Sequence, residues 1–136
     1  METTLNKIAS GLAFAIGGMA VFAGIQVLLG NDPGYYVINW LPVYNHTVGI
    51  LTVFTTAALI WTSHRLALPA AAATISFHPA VMVILQTTYR EVVSPDSIRA
   101  MAVRLVVWVV ILGLMAAQIR ARKVRSSNVT SASSRA

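Results

Sequence analysis

Four stretches of the chain are apolar for long enough to cross a bilayer, and short polar clusters separate them. The first runs from about residue 8 to 30 without a charge and closes at Asn31, Asp32, Pro33 and Gly34, a cluster rich in turn-forming residues. A second, over about 45–63, stops at His64 and Arg65. The third, 66–88, contains Pro69 and Pro79 and gives way to the polar patch from Tyr89 to Ser97. Ser94, Pro95 and Asp96 then read as a helix start: a capping hydroxyl, a proline at the first helical position and an acid at the positive end of the dipole. The fourth run covers 97–119. A helix of about 20 apolar residues spans the hydrocarbon core, so the pattern predicts an all-α, integral membrane four-helix bundle filling residues 1–119.

The basic residues orient that bundle, because Lys and Arg in loops resist translocation. With four alternating spans, Lys7, Arg65, Arg120, Arg122, Lys123, Arg125 and Arg135 fall on one side, and only Arg90, Arg99 and Arg104 belong to the other. Both termini are therefore expected in the cytoplasm, in a multi-pass protein of the inner membrane. Tyr35, Tyr36, Trp40 and Tyr44 read as an outer segment lying along the surface, where amphipathic rings favour the headgroup zone. Lys7 ahead of an apolar run resembles the start of a signal peptide, but the run exceeds the roughly 7–15 residues of a signal core and reads as a span.

Composition narrows the class. Of 136 residues, 57% are hydrophobic and 10% charged, against about 25% charged in a soluble domain. Cysteine is missing, so disulfides, thiolate metal sites and a cysteine nucleophile are excluded. A net charge of +6 in a soluble chain would suggest nucleic acid. Here Arg120, Arg122, Lys123 and Arg125 abut a span, so anionic lipid is the expected partner and nucleic acid is not. Residues 120–136 read as a basic, then Ser/Thr-rich, unstructured tail. The sequons at Asn45 and Asn128 fall at the membrane boundary and on the cytoplasmic side, and read as chance matches.

The faces of the spans carry the remaining information. Ser10, Ala13, Gly17, Ala20 and Gly24 recur at spacings of three and four, which stacks small residues into one ridge suited to close helix packing. Span two repeats the spacing with Asn45, Gly49, Thr52 and Thr56, the expected partner of that ridge. Span three aligns Thr74, His78, Met82 and Gln86 or Tyr89, and Pro79 loosens the helical ladder beside His78. Span four places Arg104 and Trp108 four apart, with Ile111 and Met115 following. With Gln26 and His46, every span offers a polar group to the outer half, and the inner half offers little beyond Ser10, Thr74 and Ser63.

Arg104 is the most demanding residue, because an intramembrane cation costs roughly 2.5–3.5 kcal/mol on insertion scales and calls for a partner. The expectation is that it turns inward, meets Glu91 or an outer-loop carbonyl, and forms with Asn45, His46, His78, Gln86, Glu91 and Trp108 the base of an outward-open pocket for a ligand or partner. A snorkelling Arg104 and a His78 that donates to a carbonyl freed by Pro79 is the purely structural counterpart. No Gly-rich phosphate loop, GxSxG, HExxH or intraspan acid pair is present, which argues against an enzyme. No cofactor or metal site is expected: a bis-histidine haem would need His46 and His78 at similar depth, and helical rise offsets them by about 10 Å. The chain reads as a partner-binding or accessory bundle or homo-oligomer, with a small carrier as the alternative. An accessory subunit should show a further small-residue strip facing lipid, and a carrier a wet cavity reaching His78.

Overall fold

The computed structural model describes residues 2–31 and 38–133. The regular elements among the described residues are all helical: α1 (Glu2–Leu28), α2 (Trp40–Leu51), a π-helical turn (Thr52–Thr56), α3 (Ala57–Trp61), α4 (Ala67–Thr87) and α5 (Pro95–Ser133). α2, the π turn and α3 form one continuous rod, so the bundle has four rods, each long and apolar enough to cross a membrane. Each packs beside its neighbours in sequence, and α5 closes the ring onto α1.

Local chemistry sets the helix ends. Gly30 leaves α1 at φ 89°, and the bonds Gly30 N–H to Val27 C=O and Asn31 N–H to Gln26 C=O, both 3.0 Å, form a Schellman stop that favours glycine at this φ. The second rod ends with the same pair of bonds, Ser63 N–H to Ile60 C=O and His64 N–H to Leu59 C=O. There a serine takes the left-handed position, at φ 52°. At the start of α5 the Ser94 hydroxyl accepts the Asp96 N–H at 3.1 Å, the capping geometry that the Ser-Pro-Asp sequence implies.

Two boundaries differ from the sequence reading. The second rod begins at Trp40 rather than near residue 45, because Pro42 falls in the first turn, where its missing N–H costs nothing. Trp40 and Tyr44 are thereby helical, while Tyr35 and Tyr36 lie outside the described residues. α5 runs on to Ser133 where an unstructured tail was expected from residue 120. Arg, Lys and Ala there are good helix formers, and no glycine or proline interrupts them.

The closest packing is between α1 and α2. A Cβ added at Gly49 would lie 2.8 Å from Gly17 O and from Val21 N, and one at Gly24 would lie 2.8 Å from Pro42 O and His46 N. Ser10, Ala13, Ala20 and Gly17 of the small ridge are buried with them. Toward the chain termini the core is mostly alanine, with Ala9, Ala13, Ala57, Ala67 and Ala71 around Ile60, Trp108, Ile111 and Met115; toward the α4–α5 turn it is Ile38, Leu41, Val81, Leu85 and Met101. Small side chains let the rods approach, and Trp108 fills what they leave. The outer surface is apolar, with Phe14, Phe22, Phe54 and Val106 each exposed by more than half.

Candidate functional site

The residues that sequence reasoning grouped around Arg104 divide into an inner set that meets and an outer set that does not. Arg104, buried about two and a half turns down α5, donates from Nη1 to Asn45 Oδ1 at 2.6 Å. The acceptor is an amide on the second rod, where Glu91 or a loop carbonyl had been expected. Glu91 sits exposed in the turn after α4. Gln86 is also exposed, because a strict i+4 row drifts about 40° per step around a helix. By the second step past His78 the buried face of α4 has moved to Leu85. Gln26 likewise faces outward, and His46 is half-buried beside Gly24 with no hydrogen-bond partner for Nδ1 among the described residues.

A second polar pair lies beside the first. The Tyr44 hydroxyl and His78 Nδ1 share a 2.7 Å hydrogen bond, and the His78 ring stands edge-on to the fully buried Trp108 with centroids 6.3 Å apart. Tyr89, Trp40, Tyr44, His78 and Trp108 form a column of rings at 6.1–6.3 Å spacing from the turn end into the core, within the favourable range for tilted and edge-to-face pairs. Tyr44 enters this column only because α2 starts early, which is why the sequence reading left it on the surface.

This interior is filled. The cavity bounded by Gly17, Tyr44, Asn45, Thr52, His78, Arg104 and Trp108 holds about 10 Å³, and the one on the other side of the Asn45–Arg104 bond, toward Ser97 and Met101, about 20 Å³. Space of about 10–15 Å³ is what one water requires. Among the described residues, the outward-open pocket is therefore replaced by a hydrogen-bonded core.

The polar row also continues where little was expected. The Thr74 hydroxyl donates to Ala70 C=O at 2.9 Å and so receives the Thr56 hydroxyl, 3.1 Å away across the π turn. Ser10 donates to Ala57 C=O at 2.7 Å, and Asn6 Nδ2 to Ser63 Oγ at 2.7 Å. Gln118, 2% exposed, completes the row, its Oε1 lacking a donor among the described residues. Asn6 and Gln118 were legible as extensions of faces already identified: Asn6 is four residues before Ser10, and Gln118 three after Met115.

Two larger concavities lie elsewhere. One, of about 440 Å³, opens at the end that holds the Ser63–Leu66 turn and is lined by Asn6, Ser63, His64, Arg65, Gln118 and Arg122, among others. The other, of about 480 Å³, is an apolar groove between α1 and the second rod, with Gly11, Phe14, Ala57, Ala58 and Trp61 along it. Lys7 Nζ lies over the ring of Trp61, 5.4 Å from its centre. No three His, Asp or Glu side chains converge as a metal site among the described residues. No family model, curated protein or solved structure matches the chain.

Proposed function

We propose that this chain is a multi-pass protein of the cytoplasmic membrane, both termini inside, that acts without catalysis by docking a transmembrane helix of a partner subunit, its own copy included. The observation that carries this reading is the outer face of α1. Gly11 and Ala15 are exposed and Gly18 half-exposed along one line of the helix, and a Cβ at Gly11 or Gly18 would meet nothing within 4 Å. This strip lies opposite the ridge that packs on α2, borders the apolar groove and is flanked by Phe14 and Phe22. In lipid, helices associate by close backbone approach at small residues, and an unused strip of this kind beside a groove is what a docking helix requires.

The filled interior supports docking over carriage. A carrier exposes its central site to water in turn from each side, and the space around Arg104 and His78 is the size of one or two waters. Asn45, His78, Arg104 and Trp108 on this reading hold the four rods in register. The test is site-specific photo-crosslinking in native membranes from Phe14 and, as the control face, from Val106. A polypeptide adduct of one discrete mass from Phe14 and lipid adducts alone from Val106 is the expected result. Lipid adducts alone from both positions would defeat the proposal.

A further inference from the structure

We propose that the cavity beside the Ser63–Leu66 turn binds the headgroup of an anionic phospholipid, a phosphodiester carrying a hydroxylated alcohol. The inference rests on the reading that the four rods span a membrane, but concerns a different surface from the docking strip. At about 440 Å³ the cavity falls within the range of small-ligand sites, roughly 300–1,000 Å³. Its charge comes from separate elements. Arg65 belongs to the turn between α3 and α4, Arg122 to α5, and the first turn of α4 (Ala67, Leu68) contributes the positive end of a helix dipole. Among the described residues, no carboxylate lines it. Two arginines lining one cavity, one from a turn and one from α5, suit a phosphate, which each can engage with a planar pair of N–H groups.

The buried side of the cavity specifies more than charge. Gln118 is 2% exposed and its Oε1 has no donor among the described residues, although a buried polar atom without a partner is costly. Gln118 lines the cavity and the terminal torsion of glutamine is soft, so its amide can present this oxygen to a hydroxyl beside the phosphate. A choline headgroup has no such donor. Leu68 and Ile119 also line the cavity and are exposed, which offers acyl chains an apolar surface next to it. That surface favours a lipid over free phosphate.

The test uses the full chain reconstituted in phosphatidylcholine bilayers containing phosphatidylglycerol, with retained lipid read by native mass spectrometry after release into mild detergent. The chain is expected to keep phosphatidylglycerol in preference to phosphatidylcholine. The double variant Arg65→Gln/Arg122→Gln should lose that preference by about tenfold or more, the effect of a single charge-assisted hydrogen bond. Arg120→Gln/Lys123→Gln, which removes the same charge from outside the cavity, should keep it. Equal loss in both double variants would show diffuse surface attraction and overturn the site. Displacement of phosphatidylglycerol by inorganic phosphate would assign the cavity to a free anion and overturn the lipid. Failure of the unmodified chain to reconstitute would instead contradict the membrane reading.

Discussion

Replacing Gly49 by alanine adds a single methyl group where α1 and α2 touch, and the structure gives the consequence in distances. The new Cβ would stand 2.8 Å from Gly17 O, Val21 N and Val21 Cγ2. Two of these are backbone atoms, which no rotamer change can move aside. Ordinary contact needs about 3.5 Å or more, so the helices must part by roughly 0.7 Å. A gap of about 0.5–1 Å already forfeits a quarter to a half of the dispersion attraction across a contact, and overpacking of this kind costs about 1–3 kcal/mol. Alanine also returns up to about 1 kcal/mol of helix propensity, which would mask part of the loss. Gly113→Ala is the reference, since its Cβ meets nothing within 4 Å and it gains the propensity without the clash. The difference between the two variants, read from reversible unfolding in mixed micelles followed by circular dichroism, should be about 1–3 kcal/mol. Equal midpoints would refute the close α1–α2 approach.

Other expectations follow from the interior and from the charge pattern. In a double-mutant cycle, Arg104→Met and Asn45→Leu should each destabilise the bundle. The double variant should lose less than their sum, by about 1.5–3 kcal/mol for a hydrogen bond to a charged group; additive losses would mean that the 2.6 Å contact does not couple them. Ser94→Ala should cost about 0.5–2 kcal/mol by removing the cap of α5, and amide exchange at Asp96 should quicken while exchange deep in α5 stays unchanged. A reporter fused after Arg125 should be active only in its cytoplasmic form, and activity of a secreted-side reporter there would reverse the proposed orientation.

The four rods were legible because long apolar runs and their punctuation are local signals, and the cap at Ser94 is written in the residues that form it; the stop at Gly30 reads in the sequence as part of the first run, with the punctuation placed at 31–34. The small-residue faces were legible as well, since spacings of three and four fix which side chains share a side. Depth and partnership were harder to read. Tyr44 looked interfacial because tyrosine often is, and only the early start of α2 at Trp40 carries it to His78. Gln86 was grouped with His78 by a strict spacing that the helix does not keep over several turns. The buried face of the second rod keeps its three-and-four spacing through the π turn at Thr52–Thr56, from Asn45, Gly49 and Thr52 to Thr56 and Ile60, although the turn itself has no signal in that spacing. The cavity beside Arg65 joins residues 6, 63, 118 and 122, which only the closure of α5 onto the other rods brings together.

The central claim is that α1 has two working faces, one spent on the bundle and one kept for a partner. Gly17 and Gly18 are adjacent in sequence and fall on opposite sides of that division: a Cβ at Gly17 would lie 2.9 Å from Thr52 Cγ2, and one at Gly18 meets nothing within 4 Å. The most direct measurement compares Gly17→Leu and Gly18→Leu for unfolding midpoint and for the size of the complex extracted from native membranes in mild detergent. Gly17→Leu should lower stability by about 1–3 kcal/mol through overpacking. Gly18→Leu should leave the midpoint unchanged and reduce the complex to the mass of the isolated bundle. A Gly18→Leu chain that keeps its complex at full size would contradict the account.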